Sequence, residues 1–383
     1  MQHANGSAAA SEDGRWMGEA LAEARLGEGG TRPNPPVGAV LVRDGRIVSR
    51  GHHVLAGGPH AEAACLAAAP AGAARGATMY VTLEPCSTRG RVGPCTEALL
   101  SAGVARVVVA ATDRNPRHEG RGLAILREAG VEVAEGVRRA EAEAMLEPFF
   151  KHVRTGLPWV TLKMAQSLDG AIADHAGVSK WITGPESRAE VAAMRRRADV
   201  VLVGSGTVLA DDPSLLRREE GEGLPGLRCV LDARGRIPPT ARIFTDGRAD
   251  RTIVATSARC PEERAAQWRT AGARVWELPT VFPDGAQAEP ALDLRALLRR
   301  LGDEGALHVL CEGGAALASA LVNESLFDEL DLFVAPLVLG AGARRTFGAV
   351  PFDLPSAPRL RLVAEDRFGA DVRLRLRPTE KGA

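Results

Sequence analysis

The amino-acid sequence predicts an α/β protein built as two consecutive domains, and three observations carry that expectation. Short apolar runs of strand type alternate with helix-type periodicity along most of the chain, the pattern left by a sheet covered with helices. The chain has 383 residues, more than one hydrophobic core usually supports. Thr155-Gly156-Leu157-Pro158 interrupts the alternation like a linker, and a second series begins at Trp159. The expected division is a tail over 1–14, a first domain over 15–156 and a second over 157–383.

The elements follow in order. Met1 to Gly14 are small and polar, without a basic start and an apolar core; they read as a disordered tail, not a signal peptide. Asp13 or Ser11 can cap a helix over roughly 15–26, with Trp16, Ala20, Leu21 and Ala24 on one face. Pro33-Asn34-Pro35-Pro36 ends it. Asp44-Gly45 between the apolar runs 37–42 and 47–49 signals a hairpin. His60 opens an Ala-rich helix to about Ala69. Thr78–Leu83 is a strand running into Glu84-Pro85-Cys86, and Cys95 opens the next helix, to Ala102. A buried strand over 106–111, a helix over 123–128, a strand over 131–133 and a helix over 138–154 complete a three-layer α/β domain. In the second domain, strands are expected at 159–164, 200–203, 229–231, 252–255, 308–311 and 332–338. Helices are expected at 186–197, 293–301 and 315–322, and a terminal hairpin at 359–364 and 371–377. Residues 217–226 and 279–290 read as Gly-, Pro- and Glu-rich loops.

Composition narrows the function. The chain carries 48 basic and 48 acidic residues, and residues 1–150 carry 16 Arg, no Lys and 17 Asp plus Glu. A nucleic-acid groove needs clustered positive charge, and rings at 4% of residues leave few platforms for stacking bases. No apolar run reaches membrane-spanning length. Cys65, Cys229, Cys260 and Cys311 show no paired spacing, which fits a reduced, cytoplasmic compartment.

The chemistry concentrates in His60-Ala61-Glu62, Pro85-Cys86 and Pro94-Cys95. One imidazole and two thiolates suit a tetrahedral Zn²⁺ with its fourth position open to water. Glu62 stands two residues after the His, placed to move that water's proton rather than to bind metal. This is the H-x-E and P-C arrangement of zinc nucleobase deaminases, except that eight residues separate the two cysteines. His60 and Cys95 both fall at expected helix starts, where free N–H groups favour thiolate. A purely structural zinc site would need a fourth protein ligand, for which His52 or His53 is at hand. Cys65 falls on the apolar helix face and reads as core. In the second domain Gly204-Ser205-Gly206 lacks the third glycine of a dinucleotide fingerprint, so the residues alone define only a ligand-binding α/β domain.

Several stretches resemble one family. Asn34-Pro35-Pro36-Val37-Gly38, Gly51-His52-His53, Pro59-His60-Ala61-Glu62, Thr82-Leu83-Glu84-Pro85-Cys86-Ser87 and Gly93-Pro94-Cys95 are similar to the deaminase half of the bifunctional riboflavin-biosynthesis deaminase–reductases, which share the eight-residue cysteine spacer. Gln166-Ser167-Leu168-Asp169-Gly170, Trp181-Ile182-Thr183-Gly184, Gly206–Pro213 and Glu312-Gly313-Gly314 are similar to the reductase half. The resemblance implies a cytidine-deaminase-like three-layer domain followed by a dihydrofolate-reductase-like α/β domain. It implies hydrolytic deamination of a diaminopyrimidinone ribosylamine 5′-phosphate, then NADPH reduction of the ribosyl chain to ribityl. It places one zinc on His60, Cys86 and Cys95, and substrate contacts at Asn34, His53 and Arg91. In the second half it places NADP contacts at Ala165, Trp181, Thr207, Asp211, Gly313 and Gly314, and substrate contacts at Ser179, Arg195, Ser214, Arg218 and Glu312. Lys163 and Glu312 are the expected proton-transfer groups of the reduction, beside Glu62 for the deamination.

Three rival readings stand against this one: a zinc deaminase acting on a base within nucleic acid, a non-enzymatic, zinc-stapled ligand-binding protein, and a chain in which one half alone is active. The expected partner is a small pyrimidine ribosyl phosphate, with no nucleic acid and no membrane. Self-association into a homo-oligomer stays open.

Overall fold

The computed structural model describes residues 2–88, 93–115, 118–216, 223–282, 290–347 and 351–379, with side chains from Glu12 on. The chain divides into two compact units, Met1–Gly156 with Glu220–Leu224, and Leu157–Glu219 with Pro225–Ala383.

The first unit runs α1 (Gln2–Leu26), β1 (Gly38–Arg43), β2 (Arg46–His52), α2 (Ala61–Ala68), β3 (Thr78–Leu83), α3 (Cys95–Ala102), β4 (Arg106–Ala111), α4 (Arg121–Glu128), β5 (Glu132–Glu135) and α5 (Arg139–Thr155). Its sheet has the order β2-β1-β3-β4-β5. β1 is antiparallel to β2 and β3, while β3, β4 and β5 are parallel. Period-2 alternation splits each central strand between two cores. Val40, Val42, Tyr80, Val108 and Ala110 pack with α1 and α5. Ala39, Leu41, Met79, Val81, Val107 and Val109 pack with α2, α3 and α4. The result is three layers, with apolar surface buried on both faces of the sheet.

Two glycines set how closely the layers approach. A Cβ on Gly38 would stand 2.1 Å from the Ala20 carbonyl oxygen of α1, and one on Gly51 would stand 2.4 Å from the Cys65 nitrogen of α2. No larger residue fits either place without moving a helix off the sheet.

The N-terminus departs from expectation. The stretch expected as a disordered tail belongs to α1 from Gln2 onward, so Asp13 lies inside the helix rather than at its cap. Ala8-Ala9-Ala10 supplies strong helix formers there. The Asp13 carboxylate accepts instead from Tyr80 Oη at 2.8 Å and from both terminal nitrogens of Arg106, at 2.8 and 2.9 Å. This ties α1 to β3 and β4 through a buried charge-assisted network.

The second unit runs β6 (Trp159–Ser167), β7 (Ala171–Ala173), α6 (Pro185–Arg197), β8 (Val200–Gly204), α7 (Ser205–Asp211), β9 (Leu227–Leu231), α8 (Arg242–Thr245), β10 (Thr252–Thr256), α9 (Glu262–Thr270) and β11 (Arg274–Glu277). It continues with β12 (Thr280–Val281), β13 (Ala291–Leu292), α10 (Leu294–Asp303), β14 (His308–Cys311), α11 (Ala315–Asn323), β15 (Glu329–Ala335), β16 (Arg344–Arg345), β17 (Leu360–Phe368) and β18 (Asp371–Pro378). The main sheet has nine strands in the order β11-β10-β9-β8-β14-β6-β15-β18-β17. Strands β11 to β15 in that order are parallel, and the terminal hairpin β17–β18 adds antiparallel to β15. Leu297, Leu298 and Leu301 of α10 and Ala318 and Leu321 of α11 cover one face. Trp268 of α9, with Phe244, and Met194 of α6 lie in the cores that cover the other.

Some elements were not expected from sequence. α9 buries only Ala265 and Trp268, too narrow a stripe to show as helical periodicity. α7 is a short helix for which no element was expected. Within 279–290, expected as loop, Thr280–Val281 forms a short strand paired with Ala291–Leu292 just beyond it. Among the described residues no helix is long and apolar enough to cross a membrane.

A buried cation joins β9, β10 and the end of α8 in this unit. Arg228, fully buried, donates to Asp246 Oδ2 at 2.6 Å and Oδ1 at 2.9 Å, to Thr252 Oγ1 at 2.7 Å and to the Ser214 carbonyl at 2.7 Å. Arg228→Met would leave the Asp246 carboxylate without its cation, keeping only the Arg248 N–H at 3.1 Å and Ser214 Oγ at 3.5 Å. The expected cost is about 3–5 kcal/mol, read as a lowered urea midpoint for the second unit's transition.

Candidate active site

The first site forms where β3 ends and two helices begin. His60 is the N-cap of α2 and Cys95 the first residue of α3. Cys86 lies three residues beyond β3. His60 Nδ1 stands 3.4 Å from Cys86 Sγ and 3.3 Å from Cys95 Sγ, and the three donor atoms lie within 4.8 Å of one another. Zinc with bonds of about 2.0 Å to N and about 2.3 Å to S sets such ligands roughly 3.5 Å apart in a tetrahedron. The donor set therefore fits the metal in both chemistry and spacing. The Cys95 backbone N–H donates to Cys86 Sγ at 3.3 Å, so the start of α3 steadies negative charge on that sulfur. The Cys95 thiol and His60 beside it push the Cys86 thiol down to about 4.

Glu62 stands in the first turn of α2 at 3% exposure. Burial lifts its carboxyl to about 7, with the Cys86 charge adding to the rise, which suits a group that must both take and return a proton near neutrality. The two histidines that could have closed a structural site are engaged elsewhere. His52 Nδ1 faces Glu23 at 3.3 Å. His53 faces the Pro59 carbonyl through Nδ1 at 2.9 Å and the Asn34 amide through Nε2 at 3.0 Å. Asn34 and His53 are thus brought together, next to His60. Arg91 lies outside the described residues.

Glu84 was missed as an organiser of this site. Its buried carboxylate accepts from the backbone N–H of Asp113 at 3.2 Å, Gly120 at 3.0 Å and Gly122 at 2.9 Å. It pins the β4–α4 connection against the Pro85-Cys86 turn. Its partners are main-chain groups some thirty residues away, which leave no side-chain pattern to read.

The second site lies at the carboxyl ends of parallel strands, where α/β sheets open a crevice. Glu312 follows β14 directly, and Arg195 of α6 grips it with two nitrogens, Nη2 to Oε2 at 2.8 Å. Burial opposes ionisation of Glu312, but Arg195 and then Lys163 outweigh it and hold the carboxyl below its usual range. Lys163 on β6 moves the other way, since burial lowers its ammonium and Glu312 only partly restores it. Lys163, Arg195 and Glu312 are therefore one charge cluster. Gly314 caps α11, and a Cβ built there would meet Thr207 Oγ1 at 3.9 Å, which brings the two glycines and Thr207 together. Trp181 is 69% exposed, with Arg188 over its ring at 4.6 Å, so it is not core. Asp211 pairs with Lys180 Nζ at 3.3 Å. Ala165 lies two residues after Lys163 on the same face of β6, and Ser179 is half-buried in the segment before Trp181. Ser214 is drawn toward the Arg228–Asp246 network. Arg218 lies outside the described residues.

A zinc deaminase fold joined to a reductase fold is the class these two units define. The cytidine and deoxycytidylate deaminase zinc-binding region matches residues 10–111, and the RibD C-terminal domain matches residues 158–374. The riboflavin biosynthesis protein RibD of Escherichia coli K12 is 39% identical, covering 95% of this chain and 99% of its own. That of Aquifex aeolicus is 40% identical over 86% and 88%. The solved structure of Acinetobacter baumannii RibD superposes with a TM-score of 0.82 at 38% identity, over 97% of this chain and 100% of its own. A Thermotoga maritima structure described as a diaminohydroxyphosphoribosylaminopyrimidine deaminase/5-amino-6-(5-phosphoribosylamino)uracil reductase also reaches 0.82, at 34% identity. This chain belongs to the RibD family, the bifunctional deaminase–reductases of riboflavin biosynthesis.

Replacing Cys86 or Cys95 by Ser should abolish zinc retention through dialysis against a chelator, measured by elemental analysis. The reductase activity of the same preparations should persist.

Proposed function

We propose that the first unit holds one zinc on His60, Cys86 and Cys95, and hydrolytically deaminates 2,5-diamino-6-(5-phosphoribosylamino)pyrimidin-4(3H)-one. The second then reduces the deaminated ribosylamine to the ribitylamine with NADPH. The observation that carries the first half is the engagement of His52 and His53 away from the three donor atoms, which leaves a three-ligand set of catalytic type. Zinc bound there supplies a Lewis acid that makes water nucleophilic near neutral pH. Glu62 then takes the water's proton and returns it to the exocyclic nitrogen, which leaves as ammonia. Its buried position and raised pKa support that shuttle. Asn34, His53 and Arg91 are the proposed substrate contacts.

In the second unit, Ala165, Trp181, Thr207, Asp211, Gly313 and Gly314 are the proposed cofactor contacts. The glycine pair at the start of α11 offers bare N–H groups to a phosphate. NADPH supplies the hydride. Ser179, Arg195, Ser214, Arg218 and Glu312 are the proposed substrate contacts. The ribosyl ring must open before its first carbon can accept hydride, which requires a proton at the ring oxygen. Lys163, with its depressed pKa, is the better proton donor of the cluster, while Glu312, held ionised by Arg195, stabilises positive charge on the opened carbon–nitrogen unit. The two activities are assigned to 15–156 and 157–383, in a cytoplasmic enzyme.

Glu62→Gln should retain zinc and lose deamination by roughly 10²–10⁴-fold, while still reducing substrate that is already deaminated. Product masses with and without NADPH measure both, and near-normal deamination would remove Glu62 from the mechanism. Lys163→Met and Glu312→Gln should each depress reduction while NADPH binding and deamination continue. If both variants reduce at the wild-type rate, the proton-transfer assignment fails.

A further inference from the structure

The connection between β6 and α6, residues 168–184, carries Ser179 and Trp181 and is tied down at both ends by a carboxylate. At its start, Ser167 Oγ donates to Asp169 Oδ1 at 2.6 Å. The backbone N–H groups of Leu339 and Gly340 donate to Asp169 Oδ1 at 3.1 Å and Oδ2 at 2.8 Å. These bonds, led by the one from Ser167, hold the Asp169 carboxyl at about 2. Further ties join the same two segments. The Leu168 N–H donates to the Leu337 carbonyl at 2.8 Å, the Thr346 N–H donates to the Gly170 carbonyl at 3.1 Å, and β7 pairs with β16. The segment after β15 is thus a bed for the start of the connection.

The far end is held by the terminal hairpin. Asp371 is buried at the start of β18, and its Oδ2 accepts from the Gly184 N–H at 2.7 Å and from Ser187 Oγ at 2.6 Å. Gly184 is the N-cap of α6, so one carboxylate oxygen fixes where that helix begins. Arg188 of α6 then donates from Nη1 to the Thr183 carbonyl at 2.7 Å and lies over the Trp181 ring. Between the two anchors, Val178 and Trp181 are exposed, so no core packing sets their place.

We infer that Asp169 and Asp371 are positioning residues for reduction: they clamp the two ends of 168–184 and so hold Ser179 and Trp181 where substrate and the nicotinamide cofactor bind. The inference rests on the reductase reading of those two contacts and adds the residues that place them. Neither carboxylate touches a ligand. Binding to a segment already held in place avoids the ordering that a loose segment would cost, so the clamps act on cofactor affinity. Lys163 lies on β6 and Glu312 directly after β14, so the reacting cluster keeps its place when a clamp is lost.

The test uses the full-length zinc-loaded chain and four variants: Asp169→Asn, Asp169→Ala, Asp371→Asn and Asp371→Ala. NADPH oxidation at saturating deaminated substrate gives kcat and the KM for NADPH, and deamination and Tm are measured on the same preparations. The two aspartates should respond oppositely to the same amide. Both bonds to Asp371 fall on one oxygen, which the asparagine Oδ1 can replace, so Asp371→Asn should keep the KM for NADPH within a few-fold of wild type. At Asp169 each oxygen accepts from a backbone N–H, so either amide orientation turns an N–H against another. Asp169→Asn should therefore resemble Asp169→Ala. These two and Asp371→Ala should each raise the KM for NADPH about tenfold, the scale of one or two lost hydrogen bonds, with kcat within a few-fold and deamination unchanged. A wild-type KM in all four variants, whatever their Tm, overturns the inference by leaving the carboxylates a structural role alone. Equal rises in Asp371→Asn and Asp371→Ala overturn it too, as does a rise at one anchor only or a loss confined to kcat. A wild-type chain that oxidises no NADPH with the deaminated substrate would sink the reductase reading and this inference together, whereas an unchanged KM in an active chain sinks the inference alone.

Discussion

Three donor atoms from separate parts of the chain must meet within a few ångströms, and the first unit is arranged around that requirement. Two of them sit at helix starts and the third just past a strand, so their spacing is set by how closely α2 and α3 lie on the sheet. Gly51 allows that closeness under α2, where a single added carbon would strike the Cys65 backbone. From the other side, Glu84 binds three main-chain N–H groups and keeps the turn carrying Cys86 from drifting. The three donor atoms are thus held together by packing and main-chain bonds before any metal joins them, the kind of outer support that orients metal ligands generally.

The reductase cluster rests on a different constraint. Arg195, Glu312 and Lys163 place two positive groups around one carboxylate beside the two central strands β14 and β6. Arg195 satisfies Glu312 with two parallel bonds, the geometry in which a guanidinium is most effective. Lys163 is left as the group whose charge is least well supported. One electrostatic arrangement therefore pushes two neighbouring residues toward opposite protonation habits, which is how paired titratable groups acquire distinct roles.

Much of this was legible in the sequence. The strands of the first unit are visible because both their faces are buried, giving unbroken runs such as Val107 to Ala111. His60, Cys86, Cys95 and Glu62 are visible because metal chemistry restricts residue type and spacing together. What stayed hidden has physical reasons. Trp268 anchors α9 almost alone, so no periodic stripe announces that helix. The last central strand, expected at 332–338, is β15 at Glu329–Ala335, because its first residues are charged and pair with arginines of β18 across the sheet. Asp13 looked like a cap because caps and buried ion-pair partners use the same residue type. Arg228 looked like any arginine, since nothing local distinguishes a buried guanidinium from a solvated one.

The bond between Asp13 and the two strands it serves also bears on how the chain is made. Its partners Tyr80 and Arg106 lie 67 and 93 residues further on. During synthesis α1 emerges before these partners, with Trp16, Met17 and Leu21 uncovered, and cannot complete its docking until β4 has appeared. Contacts of such long sequence separation form late, since the intervening loop must first be closed. For that interval the nascent chain carries a helix whose apolar face is only partly covered, by β1 and then β3. The N-terminal helix is therefore the part of the protein that depends most on shelter before the first unit closes.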